Sequence, residues 1–152
     1  MPIQVGQQAP DFALKDQDGQ VRRLSDHRGS RNVLLVFYPL AFSGICSGEL
    51  CQLRDDLPSF DNDDTVTLAV SVDSPYVLKA FAEREGYRFG LLSDFWPHGE
   101  VARTYGVFNE ERGFAIRGTF IVDKEGIVRH LIIRQPSEPR DPDEYRSVLA
   151  KL

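Results

Sequence analysis

Residues 31–57 read RNVLLVFYPLAFSGICSGELCQLRDDL, and this stretch decides the fold. From Arg31 to Tyr38 the run is short, partly β-branched and apolar at successive positions. That pattern predicts a strand buried on both faces, because a half-exposed strand would alternate. From Gly44 to Leu57 the period becomes helical. Leu50, Leu53 and Leu57 fall in a narrow arc about Cys46 at roughly 100° per residue, which predicts a helix packed on the sheet by that side. Cys46 is expected in the first helical turn, at the rim of the packed face.

The same reading extends outward in both directions. Thr65 to Val72 is a second buried strand. Ser74 before Pro75 starts a helix, with a capping hydroxyl followed by proline at the first helical position. That helix runs through Phe81 and stops at Gly86 in a left-handed conformation. A short strand at Leu91-Leu92 precedes a helix near Gly99 to Tyr105. Two hairpins are expected. One joins Ala9–Leu14 to Val21–Leu24 across Asp16-Gln17-Asp18-Gly19. The other joins Gly118–Val122 to Ile127–Ile133 across Asp123-Lys124-Glu125-Gly126. Asp141-Pro142 caps a last helix through Leu149. The order gives a βαβ half followed by a ββα half. The expected fold class is α/β: a thioredoxin-like fold, a mixed central sheet flanked by helices, with an N-terminal β-hairpin extension. One domain over residues 1–152 is expected, since single domains cluster at about 100–150 residues.

Composition removes several function classes. Hydrophobic residues are 41% and charged residues 27%, so the chain is neither disordered nor fibrous. Lys plus Arg number 18 against 23 Asp plus Glu, a net charge of −5 without a basic run. No nucleic-acid partner is expected from such a balance. Two cysteines and three histidines argue against a disulfide scaffold and against a structural zinc site. The longest apolar run, Val33 to Tyr38, is far short of the roughly 18 residues a membrane span needs. The N-terminal residues carry no basic region followed by an apolar stretch, so a cytoplasmic chain with no membrane role is expected. In that compartment each cysteine is either buried and inert or redox-active.

A cysteine in a first helical turn meets unpaired backbone N–H groups and the positive end of the helix dipole, which favour a thiolate. Around it, Pro39, Ser43 and Cys46 resemble the peroxiredoxin signature Pro-x-x-x-Thr/Ser-x-x-Cys. Arg117, before Gly118-Thr119-Phe120, resembles the arginine that this family brings to the cysteine from a distant strand. Glu49 matches the glutamate that orients that arginine. The opening Val5-Gly6-Gln7-Gln8-Ala9-Pro10-Asp11-Phe12 is also similar. The runs Leu91–Gly99 and Tyr105–Glu110 resemble the alkyl hydroperoxide reductase E subfamily, described as one-cysteine peroxiredoxins. The resemblance covers nearly the whole chain. It implies a thiol-dependent peroxidase for hydrogen peroxide and organic hydroperoxides, with neither metal nor prosthetic group. It also implies a reducing thiol partner, of the mycothiol/mycoredoxin or the thioredoxin type, and a homodimer.

The implied chemistry asks for more than an acidic thiol. Lowering a thiol pKa by about three units from 8.5 raises the thiolate fraction at pH 7 roughly 30-fold, while intrinsic nucleophilicity falls about 20-fold. The two nearly cancel. The rate must come from positioning the peroxide and stabilising charge on the departing oxygen. The resemblance gives those roles to Arg117, to the Ser43 hydroxyl and to the backbone N–H of Cys46, with Pro39 shielding the thiolate. Serine replaces the commoner threonine at position 43. The hydroxyl is kept, but a methyl that limits its rotation is lost.

Cys51 leaves three readings open: a resolving cysteine, an incidental residue, or a residue with an intermolecular role. A Cys-x-x-x-x-Cys spacing occurs in the PrxQ group, where the second cysteine resolves the sulfenic acid. If both residues stay helical, their Cα atoms are about 8–9 Å apart, beyond the usual disulfide range, and the first turns must unwind at Gly44 and Gly48. Otherwise Cys51 is incidental, on a partly exposed face with Ser47 and Asp55. His98 reads as a structural histidine. Phe42, Phe95, Trp96 and Phe108 either line an apolar approach to the cysteine or serve as core or dimer contacts. A thiol–disulfide oxidoreductase would want Cys-x-x-Cys. A non-catalytic binding or chaperone-like module remains as the rival from another class.

Overall fold

The structure, a computed structural model, describes residues 3–135 and 140–152, and for residues 44–48 the backbone alone. The buried strand of the opening stretch is β3 (Asn32–Phe37), and all six of its residues are buried. Its side chains divide by parity, as a two-residue repeat requires. Val33, Leu35 and Phe37 join one core with Val66, Leu68, Val70, Phe120 and Tyr105. Leu34 and Val36 join the other with Ala69, Ile121 and the helix residues Leu50, Leu53, Leu78, Phe81 and Tyr145. The unbroken apolar run therefore feeds two cores, one on each face of the sheet.

Seven strands form that sheet. They are β1 (Ala13–Asp16), β2 (Val21–Arg23), β3, β4 (Thr65–Ser71), β5 (Gly90–Ser93), β8 (Arg117–Val122) and β9 (Val128–Arg134), in the spatial order β2-β1-β5-β4-β3-β8-β9. β3, β4 and β5 are parallel, while β8 runs antiparallel to β3 and β9 antiparallel to β8. The first hairpin pairs Ala13 with Arg23 and joins the sheet antiparallel to β5. It is shorter than its sequence suggested. Ala9 instead donates to the Gly126 carbonyl, and Leu24 opens a 3-10 turn to His27. A small separate hairpin, β6 (Phe108–Asn109) with β7 (Phe114–Ala115), has two-residue strands too short to show a period.

The helices are α1 (Gly44–Asp55), α2 (Leu57–Phe60), α3 (Pro75–Glu85), α4 (Glu100–Thr104) and α5 (Pro142–Leu149). Both expected N-caps form. The Ser74 hydroxyl accepts from Val77 N at 3.2 Å, and the Asp141 carboxylate accepts from Asp143 N at 3.0 Å. Gly86 ends α3 at φ 73°. One expectation is corrected: Leu57 is not on the same helix as Cys46. The chain leaves helical geometry at Asp56 and restarts at Leu57. Pro58 explains the break, since proline has no N–H for the bond to residue 54 and disfavours helical geometry just before it. Leu50 and Leu53 are buried against the sheet, and Leu57 is only partly covered. Among the described residues, no helix is long and apolar enough to cross a membrane.

Candidate active site

The β3–β8 register assembles the site. Phe37, the last residue of β3, pairs with Gly118, the second of β8. Antiparallel pairing thereby sets the start of β8 beside the end of β3, where the chain turns into α1. Arg117 comes to that corner although it lies 68 residues after Glu49. Gly118 leaves room for Val107 against the start of β8, because a Cβ there would stand 2.6 Å from Val107 Cγ1.

Arg117 is buried, and its Nη1 donates to Glu49 Oε2 at 3.2 Å. A second guanidinium converges on the same carboxylate. Arg140 Nε and Nη2 donate to Glu49 Oε2 at 3.0 and 2.6 Å, and Arg140 N donates to Oε1 at 2.6 Å. Arg140 Nη1 reaches the carbonyls of Phe37 and Gly118 at 2.8 and 3.0 Å and Thr119 Oγ1 at 3.1 Å. Thr119 in turn meets the Tyr145 hydroxyl of α5 at 2.8 Å. Arg140 thus locks together α1, the end of β3 and the start of β8. Nothing near it in the chain points to this role. It stands beside the Asp141 cap and reads as surface, and its carboxylate partner is 91 residues away.

Among the described residues, two guanidiniums converge on one carboxylate in a buried place. Taking ions out of water costs several kcal/mol each, even after relaxation. Glu49 is three residues past Cys46 on α1, and helix positions three apart share a face. The Cys46 side chain, its expected rim position and its expected contact with Arg117 lie outside the described residues, as do the side chains of Ile45 and Ser47.

The loop before α1 is described in full. Pro39 is buried at the end of the strand. Phe42 takes a positive φ of 64°, uncommon for a non-glycine residue. Its ring packs on Phe81 at 4.8 Å, with the Arg84 guanidinium 5.5 Å from its centre. Ser43 is the N-cap of α1 by position, yet its side chain makes no capping bond. The hydroxyl donates back to the Leu40 carbonyl at 2.6 Å. Its hydrogen is committed there, which leaves its lone pairs to accept.

The four aromatics separate in the structure. Phe42 belongs to this loop. Phe95 and Trp96 are exposed and border a groove between the first hairpin and the start of α3. Phe108 packs on the opposite core, under the Arg103 guanidinium at 4.3 Å. His98 Nε2 is 2.6 Å from the Gly113 carbonyl, a structural contact. Cys51 is half-buried with a free thiol. Its sulfur is 3.5 Å from the Tyr87 hydroxyl and 3.9 Å from Glu85 Oε2, so it faces the end of α3. Burial, and next the bond to Cys51, push the Tyr87 hydroxyl far above the ordinary phenol value, so it stays protonated.

Comparisons with known proteins agree with this architecture. Residues 5–131 match the model of the AhpC/TSA family. Alkyl hydroperoxide reductase E of Mycobacterium tuberculosis is 55% identical over 150 residues, covering 99% of this chain and 98% of the relative. The chloroplastic 2-cysteine peroxiredoxin of Chattonella marina var. antiqua is 38% identical, covering 100% and 82%. Among solved structures, the peroxidoxin BcpB of Mycobacterium tuberculosis superposes with a TM-score of 0.86 at 30% identity, covering 99% of this chain and 98% of that one. The reduced 2-Cys peroxiredoxin of Plasmodium vivax gives 0.87 at 29%, covering 98% and 81%. The thioredoxin-like fold and the mixed sheet flanked by helices stand on these matches together with the strand order. On the family match and on identity over nearly its whole length, this chain belongs to the AhpC/TSA family, among the peroxiredoxins.

Proposed function

We propose that this thiol-dependent peroxidase works through Cys46, with Arg117 as the fixed cation of the reaction. The observation that carries the reading is the buried Arg117, held by Glu49 at 3.2 Å on α1, with Arg140 fixing the same carboxylate. The Cys46 thiolate attacks one oxygen of a hydroperoxide, and an S–O bond forms as the O–O bond breaks. Sulfur loses two electrons and becomes sulfenic acid, and the peroxide gains them. The departing oxygen leaves as water or an alcohol after taking a proton. Arg117 stabilises the charge that develops on it. Glu49 holds Arg117 in place, Ser43 accepts from the peroxide hydrogen, and Pro39 keeps water from the sulfur.

An external thiol returns Cys46 to its reduced form. Mycothiol with mycoredoxin is the partner favoured by 55% identity to a mycobacterial relative, with thioredoxin as the other candidate. The position of Cys51 supports this one-cysteine cycle. Its sulfur is lodged between α1 and the end of α3, against Tyr87. Pairing with Cys46 would need that contact broken and α1 unwound. A reducing compartment such as the cytoplasm suits such a cycle. The homodimer rests on family analogy and on the exposed aromatics Phe42, Phe95, Trp96 and Tyr76.

Peroxide consumption by the parent and by Cys46→Ser tests the reading. Loss of activity in the variant is expected. Undiminished consumption would leave a binding or chaperone-like module in its place. Intact mass after one equivalent of peroxide separates the two cycles. A stable gain of one oxygen is expected, and a prompt loss of two hydrogens in the monomer would make Cys51 the resolving cysteine.

A further inference from the structure

The Leu40–Ala41 peptide is gripped at both ends. Its C=O accepts from the Ser43 hydroxyl at 2.6 Å. Its N–H donates to Asp73 Oδ2 at 2.8 Å. The two groups belong to one planar unit and point in opposite directions, so fixing one fixes the other. Asp73 is itself anchored to the sheet. Ser71 Oγ donates to the same Oδ2 at 2.7 Å, and Ser93 Oγ donates to the Asp73 carbonyl at 2.7 Å. Ser71 and Ser93 are the last residues of β4 and β5 and are register partners. A rigid edge of the parallel sheet therefore holds a carboxylate against the active-site loop.

We infer that Asp73 is a positioning residue for the Ser43 hydroxyl, acting through the Leu40–Ala41 peptide; this rests on the peroxidase reading above. The hydrogen bonds run in series, from Ser43 O–H to the Leu40 carbonyl and from the Ala41 N–H to the carboxylate. A negative acceptor at one end polarises the peptide and strengthens the carbonyl as an acceptor at the other. The Ser43 hydrogen is then held on Leu40, and its lone pairs are presented in one fixed direction. Serine needs this restraint more than threonine would, because it has no γ-methyl to limit its rotation. The left-handed Phe42 lies between the gripped peptide and Ser43, and such a conformation persists only where its surroundings hold it. Without Asp73 the peptide is free to turn, the carbonyl leaves Ser43, and the hydroxyl rotates.

The test is a double-variant cycle on the full chain, reading the second-order rate of Cys46 oxidation by hydrogen peroxide. Asp73→Ala is expected to slow that rate about tenfold, the scale of one net hydrogen bond. Asp73→Asn, which keeps an acceptor oxygen, is expected to stay within about threefold of the parent. In a Ser43→Ala background, Asp73→Ala is expected to change the rate by less than about twofold, because the group it positions is gone. Equal slowing in both backgrounds, or no slowing in either, overturns the inference. So does an Asp73→Asn protein as slow as Asp73→Ala. If Asp73→Ala does not fold, Asp73→Glu keeps the charge and displaces the oxygen, and the same dependence on Ser43 is expected of it. A parent that depends on Cys46 but gives an additive cycle defeats the role of Asp73 alone. A parent that consumes peroxide equally well as Cys46→Ser defeats the peroxidase reading itself.

Discussion

Two arginine–carboxylate clusters in this protein have opposite stoichiometry and opposite surroundings. At the start of α1, Arg117 and Arg140 share Glu49, and all three are buried. On the outer side of α5, Arg146 is shared by Asp56 and Asp143, and water reaches all of them. The surface cluster carries an excess negative charge that solvent screens. The buried cluster joins, among the described residues, two cations to one carboxylate with little water around them. Similar groups thus stand in water in one place and are packed away from it in the other. Burial decides between them, through the cost of desolvation.

The largest effect that would break this comparison concerns the reaction. Arg117→Ala is expected to slow Cys46 oxidation by about two to three orders of magnitude, since a developing charge loses its partner. Stopped-flow oxidation checks this, and a rate within a few-fold of the parent would remove Arg117 from the chemistry. Next comes stability. Glu49→Gln leaves two buried guanidiniums without their carboxylate and is expected to cost about 3 kcal/mol or more in urea unfolding. A variant as stable as the parent would mean that the cluster is already compensated by an anion.

A third test asks whether burial acts the same way on a single ionisable group. His27 is buried, and burial, then Arg31 and Arg22, hold its imidazole below the ordinary 6.5. Above pH 6.5 the imidazole is neutral in both the folded and the unfolded chain. Below it, the unfolded chain takes up a proton that the folded chain resists, so stability falls as pH falls. Urea unfolding at pH 7.5 and pH 5 is expected to show a smaller acid loss in His27→Gln than in the parent. An equal loss would assign the acid sensitivity to other groups. The smallest effect is expected at the surface cluster. Arg146→Ala should move the thermal midpoint by no more than the scatter between replicates, and a clear drop would erase the contrast with Glu49.

Legibility followed the range of the interactions. Strands β3 and β4, helix α3 with its Ser74 and Gly86 ends, and the β8–β9 hairpin were readable because period, caps and turn residues are local. The break at Asp56 is equally local, and Pro58 marks it in the sequence. Pro39, Ser43, Glu49 and Arg117 were reached by resemblance to a family signature. Arg140 and Asp73 were not reached at all. Each is a charged residue in a polar loop, and nothing near it in the chain names its partner.

The chain by itself determined its elements and the stretch that bears Cys46, because apolar period and capping chemistry operate over a few residues. Tertiary structure alone decided which charges meet. The pairing of Phe37 with Gly118 brings Arg117 to α1, and Arg140 closes the corner from 91 residues beyond Glu49. Coulomb interactions depend on separation in space and on exclusion of water, and a linear sequence states neither.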